Sequence, residues 1–221
     1  MCGCQRKRRK MVAKGRPRKF DINEALDKAL VVFWQRGFEG TSLSDLTEAM
    51  GINRPSLYAA FGDKETLFRR ALDRYAEVGP LAVLYSALKE PTARQVVEHL
   101  LRGAAERFTE PCRPAGCLVI QGALACGKEA ESIKRELCAR RCEGEAKLRE
   151  RLERAKAEGD LPEDADPTTL ARYIATVVQG MSVQAAGGAS RTDLLAVADM
   201  VLKSWPVSQA TGGAKKLKKA S

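Results

Sequence analysis

Three observations predict that this chain of 221 residues is all-α. It is rich in Ala, Leu, Glu and Arg, and aromatic residues make up only 5% of it, a composition that favours helices over strands. Apolar residues recur at helical spacing along most of its length, and no stretch of useful length alternates as a strand would. Helix signals mark the ends of these segments as N-cap residues, first-turn prolines and terminating glycines. The hydrophobic fraction of 44% is typical of a globular protein.

The first helix is predicted to begin beside Asp21 or Asn23, either of which can cap it, and to run to about Gln35. Gly37 is expected to end it. Its apolar positions follow helical spacing and predict a buried face. These positions are Ile22, Leu26, Ala29, Leu30 and Phe33.

Two short helices are predicted within residues 42–64. Ser42 followed by Asp45 is a capping box that opens the first of them, and Gly51 supplies the positive φ that ends it. Pro55 can occupy the first turn of the second helix, where its missing N–H costs nothing. Two short helices joined by a tight turn containing glycine form a helix-turn-helix.

The second of these helices has two distinct faces. Leu57 and Phe61, four residues apart, are expected to face back toward the preceding helix. Small side chains and hydrogen-bond donors on an exposed helix face suit close approach to DNA. The outward face carries Arg54, Ser56, Tyr58, Ala59 and Ala60.

The rest of the chain predicts further helices. Asp63 caps a fourth helix that reaches about Leu88, with a break or kink at Gly79 and Pro80. Capping boxes at Thr92 and Ser190, and the pair Asp166-Pro167, begin three others. The remaining helices are predicted over residues 92–109, 116–126, 128–158, 166–186 and 190–204, which gives about nine in all.

Charge is concentrated at the two ends of the chain. Residues 1–19 contain nine basic residues and no acidic one, and residues 215–219 contain four lysines. The formal net charge is +10, so the chain between these ends is near −3. Basic ends attract phosphate, although a solvated tail that aids solubility is the alternative interpretation. The segment of Arg16, Pro17 and Arg18 is held extended by its proline and is slim enough to enter a minor groove.

These features divide the chain into four parts. Residues 1–20 are predicted to be a disordered basic arm and residues 207–221 a basic tail. Residues 21–66 form an N-terminal three-helix helix-turn-helix DNA-binding domain. Residues 67–206 form a C-terminal helical domain for ligand binding and dimerisation.

Residues 15–78 resemble the DNA-binding domain of TetR/AcrR-type transcriptional regulators. The matching residues are Gly37-Phe38, Thr41-Ser42, Asp45-Leu46, Ala49, Gly51-Ile52, Ser56-Leu57-Tyr58, Phe61, Lys64-Glu65 and Leu67. The resemblance implies a repressor that binds a palindromic operator in double-stranded DNA as a homodimer and responds to a small-molecule effector. It also implies that the last two helices, about 167–186 and 190–204, pair the subunits, and their low charge agrees with burial.

The resemblance carries DNA contacts to matching positions. Arg54, Ser56 and Tyr58 match residues that touch bases or phosphates, and Pro55 lies among them. Thr41 or Ser42 matches a phosphate contact before them, and Lys64 one after them. Arg54 is the candidate for base readout through guanine, with a phosphate or solvent contact as the alternative, because Ala59 and Ala60 are smaller than the side chains often found there. Arg16 and Arg18 of the arm complete the predicted DNA-binding set.

An apolar effector pocket is predicted between the helices of the C-terminal domain, and no cofactor is expected. The candidate lining residues could equally be ordinary core. They are Tyr85, His99, Phe108, Cys117 and Gln121.

The seven cysteines are an odd number, and the basic N-terminus lacks the apolar stretch of a secretory signal. We therefore expect reduced thiols in a cytoplasmic protein that does not enter a membrane. A thiolate at Cys112 or Cys117, near Arg113, could instead sense oxidants or electrophiles on the same scaffold. No cysteine spacing matches a structural zinc site.

Catalysis has little support in the sequence. The single histidine, His99, lies in an apolar helix, and neither a Gly-rich phosphate loop nor a nucleophile elbow is present. We therefore predict that the protein is not an enzyme, and a helical enzyme remains a remote alternative.

We expect deletion of residues 1–19 to flatten the dependence of operator affinity on salt. Each lost phosphate contact should reduce the slope of log K against log salt by about 0.9. Affinity measured at several salt concentrations tests this expectation. An unchanged slope would show that the arm does not contact phosphate.

Overall fold

The computed structural model describes residues 20–124, 127 and 130–206, and within these ranges it contains ten α-helices and no strand. This confirms the all-α prediction. The helices are α1 Ile22–Arg36, α2 Leu43–Met50, α3 Arg54–Phe61, α4 Lys64–Val78, α5 Pro80–Ala87, α6 Ala93–Phe108, α7 Leu118–Leu124, α8 Glu131–Ala157, α9 Pro167–Ala186 and α10 Arg191–Lys203. The basic tail lies outside the described residues, and so does the arm except for Phe20, whose ring centroid is 6.5 Å from that of Phe61. Phe20 therefore packs against the folded domain.

Local signals set the limits of α1. Asp21 is its N-cap, and the carboxylate accepts hydrogen bonds from the N–H groups of Asn23 and Glu24 at 2.7 and 3.0 Å. The alternative cap, Asn23, is therefore inside the helix. Gly37 ends α1 with a φ of 71°. Trp34 joins the buried face, which the predicted stripe omitted.

Helices α1 to α4 enclose one apolar core. The Phe33 ring is fully buried and meets the edge of Phe68 of α4 at 4.9 Å between ring centroids. Trp34 makes a similar contact with Tyr75 at 4.8 Å. Aromatic pairs in this edge-to-face arrangement add about 1 kcal/mol each beyond the area they bury. Helix α4 is thereby fixed against α1 along most of its length.

Gly79 separates α4 from α5, and this break raises the number of helices from the predicted nine to ten. A Cβ atom at this position would lie 2.6 Å from the Tyr75 carbonyl oxygen and 2.9 Å from its ring. Only glycine fits at that distance, and Pro80 then begins α5. The chain turns here without a long connection.

Helix α6 is central to the remaining helices and packs against α5, α9 and α10. Thr92 caps it by accepting the Gln95 N–H at 3.2 Å. The Gln95 side chain accepts the Thr92 hydroxyl at 2.8 Å rather than the backbone N–H, so the predicted capping box is only half formed. Its buried residues are Ala93, Val96, Val97, Leu100, Leu101, Ala104, Ala105 and Phe108.

Helix α8 has 27 residues and buries a narrow apolar side that includes Leu137, Leu148 and Leu152, as predicted. It also buries Arg151, which the sequence did not indicate. The Arg151 guanidinium donates to the carbonyl oxygens of Glu90 and Pro91 at 2.8 and 3.0 Å. This arginine therefore holds the turn that precedes α6 against α8. No helix in the described ranges is long and apolar enough to cross a membrane.

We expect Gly51→Ala to lower the free energy of unfolding by about 1 kcal/mol, because Gly51 is left-handed with a φ of 67°. No atom would crowd the added Cβ, so the cost is conformational. Gly51→Asn should cost less, since asparagine tolerates this conformation. Thermal unfolding of both variants provides the measurement, and equal losses would contradict the explanation.

Candidate DNA-binding surface and internal cavity

The helix-turn-helix of α2 and α3 is held by caps at both starts. The Ser42 hydroxyl accepts the Asp45 N–H at 3.1 Å, and the Asp45 carboxylate accepts the Ser42 N–H at 2.8 Å, which confirms the capping box. Asn53 caps α3 by accepting the Ser56 N–H at 2.9 Å, with Pro55 in the first turn. These caps set the position of α3 before any tertiary contact is considered.

Tertiary contacts anchor the inward face of α3 and its C-terminal end. Leu57 and Phe61 are buried, as predicted. Arg70 of α4 donates to the Ala60 carbonyl oxygen at 2.9 Å, and its guanidinium lies 4.9 Å from the centre of the Phe61 ring. Ala60 is therefore half-buried rather than outward. Arg70 satisfies a carbonyl that the end of the helix leaves unpaired.

The outward face of α3 presents the side chains expected to meet DNA. Arg54, Pro55 and Tyr58 are exposed and Ser56 is half-buried. Arg54 donates to the Ser44 hydroxyl at 2.9 Å, so its guanidinium lies across the start of α2. This contact joins two exposed polar side chains, and Ser44 was absent from the predicted set. Both side chains are placed to meet one ligand.

One of the two candidates for the earlier phosphate contact is buried. Thr41 is 1% exposed and its hydroxyl donates to the Gly37 carbonyl oxygen at 2.6 Å. Its side chain therefore stabilises the end of α1 and is not presented to phosphate. Ser42 is exposed, and its hydroxyl also donates to Asp45 at 2.7 Å.

The Asp45 carboxylate lies beside the Ser42 position and accepts a hydrogen bond from Arg36 of α1. Hydrogen bonds from Ser42 lower its pKa to about 2, with Arg36 contributing further. The folded form therefore favours the ionised carboxylate above pH 4, and this contribution to stability is lost as the pH falls toward 2. Arg36 offsets a negative charge that would otherwise repel phosphate.

Lys64 begins α4 beside the DNA-facing surface. Its Nζ atom is 4.5 Å from the centre of the Phe38 ring. Burial lowers its pKa, while the carboxylates of Glu39 and Asp45 act in the opposite direction. The ring holds the ammonium group in place at a helix N-terminus, where an anion is favoured. The remaining candidates, Arg16 and Arg18, lie outside the described residues.

A cavity of about 130 Å³ lies between α4, α5, α7, α8 and α9. Of the five predicted pocket residues, Cys117 lines it and the other four lie elsewhere. Its lining residues are Leu72, Tyr75, Ala76, Leu81, Leu84, Leu100, Cys117, Val119, Ile120, Arg140, Arg141, Gly144, Glu145, Leu148, Ala175, Val178 and Gln179.

Helix rotation explains two of the differences. Leu84 and Leu100 line the cavity, whereas their neighbours Tyr85 and His99 point away, since adjacent residues are about 100° apart around a helix. Tyr85 is 40% exposed beneath Lys147.

The other residues of the predicted pocket have partners of their own. The two ring nitrogens of His99 lie 2.8 Å from Glu90 and 3.0 Å from the Ser86 hydroxyl. Phe108 is fully buried in the core. Gln121 lies beside Gly116, where its amide nitrogen would be 2.4 Å from an added Cβ.

The thiols do not form one reactive site. Cys117 is buried in the cavity, and this burial raises the pKa of its thiol. Cys112 is exposed and lies on a different surface, beside Trp34. A raised pKa reduces the thiolate that oxidants and electrophiles attack, so nothing here favours Cys117 as a sensor. The described part of the chain contains no group of side chains suited to hold a metal ion.

Ion pairs connect the cavity to the DNA-facing end of α4. Arg140, which lines the cavity, donates to Asp73 at 2.6 Å and to Glu136 at 2.9 Å. Glu136 also accepts from Arg69 at 2.8 Å, and Arg69 bonds to Glu65, next to Lys64. Polar side chains thus follow α4 from the cavity to its first turn.

A second connection joins the same regions. The Glu39 carboxylate, from the loop between α1 and α2, accepts the Gly127 N–H at 2.6 Å. Ser132 of α8 donates to Glu65 at 2.8 Å. Both hydrogen bonds join residues more than 60 positions apart, and sequence patterns do not indicate them.

Comparison with known proteins gives consistent matches over most of the chain. The family described as bacterial regulatory proteins, tetR family, matches residues 25–71, and the tetracyclin repressor-like C-terminal domain matches residues 93–193. The HTH-type transcriptional repressor ComR of Escherichia coli (strain K12) is 38% identical over 197 residues, which cover 88% of this chain and 93% of ComR. BdcR, an HTH-type transcriptional repressor of the same strain, is 35% identical over 84% of this chain and 89% of its own length.

A solved structure extends these matches to three dimensions. A cysteine mutant of the TetR family transcriptional regulator CifR, complexed with 26-base-pair double-strand operator DNA, is 47% identical to this chain. The TM-score is 0.82, and the match covers 86% of this chain and all of that one.

We expect Arg54→Ala and Lys64→Ala to weaken DNA binding in different ways. Loss of a base contact by Arg54 should reduce discrimination between specific and random DNA by about tenfold. Lys64→Ala should weaken both by similar factors, because phosphates carry no sequence information. Affinity for matched specific and random duplexes measures both effects. Equal loss on the two duplexes for Arg54→Ala would contradict its role in reading bases.

Proposed function

Because this chain belongs to the TetR family of transcriptional regulators, we propose that it represses transcription from a palindromic operator, which it binds as a homodimer. We propose further that a small molecule in the cavity of the C-terminal helices releases it from DNA. The family is one of regulators and not of enzymes. The observation that carries the proposal is the capped α2–α3 pair, which presents Arg54 and Tyr58 on an exposed face.

The DNA contacts are proposed on the exposure and attachment of these side chains. Arg54, supported by Ser44, is the proposed reader of bases, and Ser42, Ser56, Tyr58 and Lys64 are the proposed phosphate contacts. The structure of CifR with operator DNA supports this assignment, since CifR shares 47% of its residues with this chain. Residues 21–66 are the proposed DNA-binding domain, with the basic arm preceding it. A cytoplasmic location follows from action on DNA.

A homodimer is proposed through α9 and α10. Together these helices expose large apolar side chains that have no role within one subunit, because each points into solvent. They are Tyr173, Val183, Val197 and Met200, exposed by 44, 48, 43 and 67%. Gly180 lies on the exposed face of α9, and no atom would meet a Cβ there, so a second helix could approach closely. Pairing through this face would bring two copies of α3 to successive half-sites of a palindrome.

Release by a ligand is proposed to act through α4. This helix lines the cavity with Leu72 and Tyr75 and carries Lys64 at its other end. Arg140 lines the same cavity and bonds to Asp73 of α4. A ligand that binds one position of α4 more tightly than another shifts the equilibrium between them by the difference in its affinities.

We expect Met200→Lys to separate the dimer and to reduce operator affinity by at least about tenfold. The two-fold axis would place the added charge in the interface of both subunits, where it loses water without a partner. Sedimentation and a gel shift with a palindromic operator, found by genome-wide footprinting of the purified protein, measure both effects.

The matched control for this experiment is Glu150→Lys, which changes an exposed charge on α8. It should leave both association and operator affinity intact. If Met200→Lys stays dimeric and binds the operator normally, the interface assignment is wrong. If footprinting finds no specific sites, the repressor proposal itself fails.

A further inference from the structure

We propose that the cavity binds a small monocarboxylate with an apolar body, whose carboxylate is held by Arg141 and the Tyr75 hydroxyl. This inference deepens the proposed function and rests on it only for the consequence of binding. The class of ligand follows from the size of the cavity, its apolar walls and two unused hydrogen-bond donors. Each of these is considered in turn.

The size and walls of the cavity fit the apolar body. Nine of its lining side chains are aliphatic, and they come from α4 to α9. The volume of about 130 Å³ is close to the roughly 150 Å³ of an engineered apolar cavity that admits benzene. A benzene ring or a chain of about six carbons would therefore fill it.

The Tyr75 hydroxyl is an unused donor at the cavity. Tyr75 is 1% exposed, and within the described part of the chain its oxygen has no partner in hydrogen-bonding geometry. Burial raises the pKa of this hydroxyl, and the neighbouring Cys117 thiol adds to the effect. The hydroxyl is thus protonated and available to donate. A buried polar group without a partner is costly, so a ligand that accepts this hydrogen bond is favoured.

Arg141 supplies the charge. It lines the cavity half-buried, and among the described residues it forms no ion pair. Its recorded contact is a donation to the Cys138 sulfur at 3.2 Å, which leaves most of its five donors unused. Its positive charge also reaches Cys117, next to which the Tyr75 hydroxyl lies. The two donors therefore converge on one side of the cavity.

The other charged residues of the cavity already have partners. Arg140 is shared between Asp73 and Glu136. Glu145, the single carboxylate among the lining residues, is paired with Arg172 at 3.0 Å. A cationic ligand would have to displace Arg172, whereas an anion meets a guanidinium that has no carboxylate. The charge balance therefore favours a carboxylate over an amine.

The test uses the full chain with benzoate as the probe and benzamide, which has the same shape without the charge, as its control. Calorimetric titration should show that benzoate binds at least about tenfold more tightly than benzamide. Arg141→Gln should remove this preference, while Arg135→Gln, an exposed arginine of the same helix, should leave it intact. Equal affinity for the two probes, or benzoate binding that Arg141→Gln does not weaken, would overturn the proposal.

Tyr75→Phe separates the hydroxyl from the packing of the ring. Without ligand, this variant should melt at the same or a higher temperature, because the removed hydroxyl had no partner. Its affinity for benzoate should fall severalfold. A lower melting temperature together with unchanged benzoate affinity would show that the hydroxyl serves the fold and not a ligand.

Operator binding distinguishes this inference from the proposed function. If neither benzoate nor hexanoate binds while the protein still occupies a specific operator, the ligand class is wrong and the repressor proposal stands. If benzoate binds through Arg141 but operator affinity does not change, the carboxylate site is supported and ligand-controlled release fails.

Discussion

The shared core of α4 is the constraint on which the other features depend. Phe68 and Tyr75 pack edge to face against Phe33 and Trp34 of α1, so this helix cannot be separated from the DNA-binding part. Tyr75 and Leu72 also form a wall of the cavity. One helix therefore stabilises the N-terminal helices and borders the internal space. A change in that space is felt by the same side chains that hold α1.

The elements could be predicted because their ends are written in local sequence. The capping boxes at Ser42 and Ser190, the N-cap at Asp63 and the positive φ of Gly51 each depend on residues within one helical turn. The split at Gly79 was predicted only as a break or kink, since the approach of the Tyr75 ring that requires glycine follows from packing.

The functional surfaces could be predicted only in part. The outward position of Arg54 and Tyr58 follows from helical periodicity, whereas the burial of Thr41 depends on a hydrogen bond to the end of α1. The cavity was harder still, because a rotation of one residue decides whether Leu84 or Tyr85 lines it. Contacts between distant helices, such as Arg70 with Ala60 or Glu39 with Gly127, have no periodic signal at all.

The bond between Arg70 and Ala60 makes the recognition helix an extension of α4. With 15 residues, α4 is about 22 Å long, and it acts as a lever that turns about its end at Gly79. A tilt of about five degrees there would displace the Lys64 end by about 2 Å, and α3 would travel with it. Such a displacement approaches the length of a hydrogen bond, so repacking at Tyr75 by less than an ångström is amplified into lost contacts on DNA.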